Sequence, residues 1–371
     1  MSTRDSAPIY VYIGTYTRSM PHVEAKAKGI YVCQQNPVTG ELSPVDSVPA
    51  GENPSYLTLD PTGRYLYSVN EVIELNGKPG GGVSAFRIDP ATGRPVFLNR
   101  QASRGDDPCY LALDRSGRNV LVANYTSGSV ALLPIRSDGS LDPASCAIQH
   151  AGASVNPVRQ QGPHAHSINV DPENRFAVVA DLGIDELLVY RMDLAAGQLV
   201  LTENPPYRSA PGAGPRHLDF HPNGRLAFLL TEIGSTLTSF VYGPITGTFA
   251  EITTLSTLPA GFAEVNHTAD VHVHPAGRFV YASNRGHDSI AIFGVDPATG
   301  ALSALGYQST AGRTPRNFAI DPTGTFLYAA NQDTDTVVCF RIDQATGRLA
   351  PTGHVLATPT PVCVKFRVPS A

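Results

Sequence analysis

Five residues of this 371-residue chain stand out as a chemical set: His166, Arg216, Glu232, Arg285 and Arg316. An unperturbed Glu has a pKa of about 4.3, so Glu232 is expected to be ionised at neutral pH and able to take a proton from water. Arg216 is a permanent cation that can steady Glu232 and an oxyanion forming beside it. His166 is of the type that passes a proton near neutrality. Arg285 and Arg316 carry forked donors suited to a carboxylate or phosphate. Together they offer a base, a cation beside it, a proton carrier and a pair of anion-binding forks. A structural Arg–Glu ion pair closing a pore is the competing account of Arg216 and Glu232.

The set emerges from an internal repeat. PSYLTLDPTGRYLYSVNE (54–71) recurs as PCYLALDRSGRNVLVANY (108–125), HSINVDPENRFAVVADL (166–182), PRHLDFHPNGRLAFLLTE (215–232), ADVHVHPAGRFVYASNR (269–285) and PRNFAIDPTGTFLYAANQ (315–332). Each is a short apolar run, a D/H-P-x-G-type turn and a second apolar run, the pattern of a strand–turn–strand unit. A second hairpin type follows each of these, as in GVSAFRIDPATGRP. Its turn glycines are Gly40, Gly93, Gly139, Gly197, Gly247, Gly300 and Gly347, spaced 46 to 58 residues apart. Four strands in about 50 residues make a propeller blade. The first hairpin type is complete six times. PVCVKFR (361–367) supplies the first half of a seventh and IYVYIGTYT (9–17) the second half. The expected fold is therefore all-β: one seven-bladed β-propeller domain over 1–371, core about 9–367, with four-stranded antiparallel blades and a last blade closed by the N- and C-terminal strands.

Counting from the turn Asp or His, the position five residues earlier holds Ser55, Cys109, His166, Arg216, Ala269 and Arg316. The position eleven residues later holds Glu71, Tyr125, Leu182, Glu232, Arg285 and Gln332. Small residues in three blades against His or Arg in three others mark the first position as more than packing. The two positions end one hairpin, so Arg216 and Glu232 are expected side by side. His164, beside His166, is a candidate substrate contact or loop support. Glu71 and Asp181 end inner hairpins and are candidate substrate contacts. The asparagines at the Asp181 position (Asn70, Asn124, Asn284 and Asn331) read as a structural ring.

The blade motif, the DPATG hairpins, the GPHAHS segment and the PRH…TE pair resemble the lactonase propeller family. That family includes the bacterial 6-phosphogluconolactonases and the fungal 3-carboxy-cis,cis-muconate lactonizing enzymes. The resemblance implies a metal-independent site of His, Arg and Glu in the central channel. It makes 6-phosphogluconolactone hydrolysis the first expectation, with Glu232, Arg216 and His166 catalytic and Arg285, Arg316, His164, Glu71 and Asp181 binding a small anionic lactone. Muconate lactonization and a non-catalytic propeller that binds a ligand or protein are the alternatives.

Other classes find no support. The net charge is −5 and there is no long basic run, so a nucleic-acid partner is not expected. No apolar stretch approaches a membrane span. The sequence lacks a G-x-S-x-G elbow and a phosphate-binding glycine loop, and no cofactor is expected. His272 and His274 share a strand face as a metal pair would. Yet His274 occupies the turn-anchor position, and no metal is expected. Five cysteines without a C-x-x-C pair, and no secretory signal at MSTRDSAPIY, suggest reduced thiols in the cytoplasm. The oligomeric state is left open.

Overall fold

The computed structural model describes residues 8–367. The ends of the expected domain, 1–7 and 368–371, lie outside the described residues. Seven antiparallel blade sheets follow one another in chain order, each with a four-stranded path and one with the short extra strand Tyr207–Arg208. They are numbered here as blades 1 to 7 from the first complete one. Blade 1 runs from its inner strand Leu57–Leu59 through Tyr65–Asn70 and Gly82–Ile88 to Pro95–Ala102. The inner strands of blades 2 to 6 are Pro108–Leu113, Ala165–Val170, Pro215–Phe220, His267–Val273 and Pro315–Ile320. Blade 7 is assembled from both ends. Its inner strand Pro361–Phe366 pairs with Ile9–Thr15, which continues to Ile30–Gln35 and Leu42–Val48. Among the described residues the only helical element is the 3₁₀ turn Gln332–Thr334.

The turns form for the reason the repeat suggests. Asp60, Asp114, Asp171 and Asp321 each accept, through Oδ1, the backbone N–H that opens the second strand, at 2.6–2.8 Å. Where His replaces Asp, the ring reaches the neighbouring blade: His221 bonds the Gly277 carbonyl at 2.8 Å and His274 that of Gly324 at 2.9 Å. His274 is thus structural.

The core lies between blade faces. Leu226, Phe228 and Leu230 of blade 4 pack against Val280, Ala282 and Phe293 of blade 5. Each fully buried Leu, Val or Phe side chain is worth about 1.5–3 kcal/mol. Buried tyrosines lock neighbouring blades by donating to turn-glycine carbonyls. The pairs are Tyr12 to Gly93, Tyr67 to Gly139, Tyr281 to Gly347 and Tyr328 to Gly40, at 2.7–3.0 Å. Those glycines have φ between 70° and 85°, a region that costs most other residues strain.

Candidate active site

One backbone device aims the site. In blades 2, 3, 4 and 6 the inner pairing slips by one residue, at Cys109, His166, Arg216 and Arg316 respectively. A bulge redirects its side chain out of the pleat. Here it sends the residue toward one mouth of the central channel, while the facing strand ends carry Glu71, Tyr125, Glu232 and Arg285. Cys109, His166 and Arg316, with the four facing groups, line one cavity of about 700 Å³ whose wall also includes Met20, Pro21 and His22, while the buried Arg216 lines a small adjoining pocket that shares Glu71, Cys109, His166 and Arg316. The volume suits a small organic ligand.

Glu232 is the electrostatic centre. Arg216 Nε donates to its Oε2 at 2.8 Å, Arg285 Nη2 lies 3.0 Å from the same oxygen, and Arg159 Nη2 donates to Oε1 at 2.7 Å. The residue is 3% exposed. Burial would push its pKa up, but Arg285, Arg216 and Arg159 outweigh that and hold it well below the carboxylate range. Glu232 is therefore an anion. Arg216 also bonds the Ala269 carbonyl and donates through Nη1 to His217 Nε2 at 3.1 Å, and His217 Nδ1 donates to Asp270 at 2.7 Å. Arg285 is pinned by the Thr268 carbonyl at 2.8 Å.

Glu71 is the opposite case. Ser55 and Tyr16 donate to its carboxylate, the latter at 2.9 Å, yet burial dominates and raises its pKa despite Arg316. Arg316 lies over the Tyr16 ring, 5.6 Å from its centre. Among the described residues its guanidinium has no hydrogen-bond partner, and it faces the cavity.

The geometry revises one expectation and relocates two residues. The expected Arg216–Glu232 neighbourhood is present. His166 lies in the cavity with Nε2 3.6 Å from Glu232, beyond hydrogen-bond range. Its pKa is pushed well below 6.5 by burial and by Arg216, so it is a neutral imidazole, not the titrating acid expected from its type. His164 is outside the cavity. It stacks on Tyr125 at 4.6 Å and binds the Tyr125 carbonyl through Nδ1 at 2.9 Å. Asp181 is also outside and fully buried. It accepts from His150 Nδ1 and from the backbone N–H of His164, both at 2.7 Å. Asn70, Asn124, Asn284 and Asn331 donate instead to carbonyls of the preceding inter-blade connection, confirming their structural reading. Asp181 cannot donate, so His150 supplies the proton from that connection.

Several cavity residues lie outside the repeat alignment, His22 and Asp107 among them, and of these Arg159 is the one that bonds Glu232. Arg159 sits in 150–164, the longest of the inter-blade connections. The one signal was the 58-residue gap between Gly139 and Gly197. Among the described residues no group of three or more His, Cys, Asp and Glu side chains is placed to hold a metal ion. Asp270 of the histidine-rich segment is occupied by His217 and His272.

A model of the lactonase family of seven-bladed β-propellers matches residues 10–366. The chain belongs to that family. A Bacillus subtilis relative named 6-phosphogluconolactonase is 38% identical over 96% of this chain and 97% of its own length. A Formosa agariphila protein of the same name is 34% identical over 84% and 86%. The structure of a periplasmic gluconolactonase from Pseudomonas aeruginosa superposes with a TM-score of 0.90 and 33% identity, over 97% of this chain and 99% of that one. The cavity of this lactonase-type hydrolase is thus built from the ends of the inner strands and one long connection.

Proposed function

We propose that this lactonase hydrolyses a phosphorylated sugar-acid lactone, foremost 6-phosphogluconolactone, to the open acid. The observation that carries this is the pairing of an ionised Glu232, held by fixed guanidinium groups, with the open donors of Arg316 in the same cavity. The names of the relatives support the substrate class.

In the proposed mechanism, a water gives a proton to Glu232 Oε1 while its oxygen bonds to the lactone carbonyl carbon. The carbonyl electrons move to oxygen, where the Arg216 and Arg285 side stabilises the developing charge. The ring C–O bond then breaks. Glu71, whose raised pKa favours a carried proton, protonates the leaving oxygen. Both carboxyl groups reset by exchange with water, and the product acid releases one proton overall. Arg316 holds the substrate's anionic group, and neutral His166 lines the ring.

Glu232→Gln and Arg216→Ala are each expected to lower kcat by at least ~10²-fold. The assay is pH-stat titration of 6-phosphogluconolactone above its spontaneous hydrolysis, with loss of ultraviolet absorbance by 3-carboxymuconate run alongside. Near-wild-type rates in both variants would remove the mechanism. Activity on the muconate alone would replace the substrate.

A further inference from the structure

The four arginines of the site, Arg159, Arg285 and Arg316 in the cavity and Arg216 in the pocket beside it, are not held alike. Arg216 and Arg285 are tied to backbone carbonyls as well as to Glu232, and their side chains are 3% and 14% exposed. Arg159 is 32% exposed and is held only by two side chains, Glu232 Oε1 at 2.7 Å and the Tyr125 hydroxyl at 3.0 Å. Its backbone, by contrast, is anchored. Asn156 Oδ1 accepts the Val158 and Arg159 N–H groups, and Gln160 Nε2 donates to the Leu182 carbonyl at 2.9 Å. A rigid turn thus carries a releasable guanidinium on the one Glu232 oxygen that no fixed arginine bonds. While Arg159 sits there, one of the two lone pairs of Oε1 is taken by a charge-assisted hydrogen bond, which weakens that oxygen as an acceptor of a water proton.

We propose that Arg159 is the residue that selects phosphorylated lactones: the substrate's phosphate, half-held by Arg316, draws the Arg159 guanidinium off Glu232 Oε1 and frees that oxygen to accept the proton of the attacking water. This rests on lactone hydrolysis being the reaction. Losing one of three cations also makes Glu232 a stronger base, since Arg159 is among the groups that depress its pKa. Part of the phosphate's binding energy is thereby expressed in kcat rather than in KM. A phosphate-free lactone meets the same carboxylate with its Oε1 still covered.

The test is kcat and KM for 6-phosphogluconolactone and for unphosphorylated gluconolactone, in wild type and Arg159→Gln, each with a pH profile. Wild type should turn over the phosphorylated lactone at least ~10-fold faster at saturation. Arg159→Gln should narrow that kcat ratio to near unity, partly by speeding the unphosphorylated substrate, and should shift the acid limb of its profile upward. Arg159→Lys, which keeps the charge without the fork, should retain an intermediate ratio and serves if the Gln variant folds poorly. Added inorganic phosphate should accelerate gluconolactone hydrolysis in wild type and not in Arg159→Gln. An unaltered kcat ratio in Arg159→Gln, or a wild-type preference for the unphosphorylated lactone, would overturn the role of Arg159 while leaving lactone hydrolysis intact. Inertness of wild type toward both lactones would instead remove the functional reading on which it rests.

Discussion

Two buried glutamates of one cavity are driven apart by their neighbours. Glu232 faces three guanidinium groups and is held as an anion, whereas Glu71 receives hydroxyl donors and is pushed toward the neutral form by burial. The folded protein holds the Glu71 proton more tightly than the unfolded chain does. Its contribution to stability is complete below the ordinary Glu pKa and is lost as pH rises through the raised folded value. Glu71→Gln, which cannot ionise, should therefore raise Tm at pH 7 relative to wild type while lowering turnover by ~10²-fold or more. Thermal melts at pH 4 and 7 check the sign, since the difference should shrink at the lower pH. Asp181 belongs to a different kind of residue. Its pair with His150 repeats, in ionisable form, the asparagine-to-carbonyl bond of four other blades. Asp181→Ala should cost about 3–5 kcal/mol in a denaturant melt and leave kcat/KM as it was. A selective rise in KM would return Asp181 to the binding site.

The element that matters most is the inner hairpin with its one-residue slip. Without the slip, Arg216 and Arg316 would follow the pleat into the inter-blade core. With it, they turn to the channel and the strand keeps its apolar alternation beyond. The outer part of each blade contributes differently, by locking to its neighbour. Tyr281 and Tyr328 each donate one buried bond to a turn glycine of the next blade. Tyr281→Phe should leave that carbonyl unpaired and cost about 1–3 kcal/mol, read from urea unfolding, with a smaller effect on turnover because the contact is remote from the cavity.

At the scale of the molecule, the ring is closed by hydrogen bonds between residues over 300 positions apart in sequence. Strand Ile9–Thr15 lies between the inner strand Pro361–Phe366 and Ile30–Gln35. Its Val11 and Ile13 pack with Tyr328 and Val337 of blade 6. Removing residues 9–17 would expose a sheet edge and open this cluster, and an aggregated or non-cooperatively folding product is expected by size-exclusion and circular dichroism. A circular permutant that joins 367 to 9 and opens the exposed turn near Thr246 keeps every strand pairing and should fold. All five cysteines are unpaired. One relative of similar structure is named as periplasmic. No helix among the described residues is long and apolar enough to cross a membrane.

The sequence by itself determined the blade count, the split seventh blade and the residues that depart from the repeat. Each of these is a matter of local periodicity, and strand–turn–strand units recur at a spacing that can be counted. It also placed Arg216 beside Glu232, because a hairpin joins the two ends of one short segment. Tertiary structure alone decided the rest. Arg159 reaches Glu232 across 73 positions from an inter-blade connection outside the aligned strand–turn–strand units, so no alignment of those units could place it. The state of His166 depends on Arg216 from the next blade and on burial, and Asp181 acquired its role from His150 on the preceding connection. Side-chain type fixes what a group can do, but its charge and its partners are set by whichever chains the closed ring brings within a few ångströms of it.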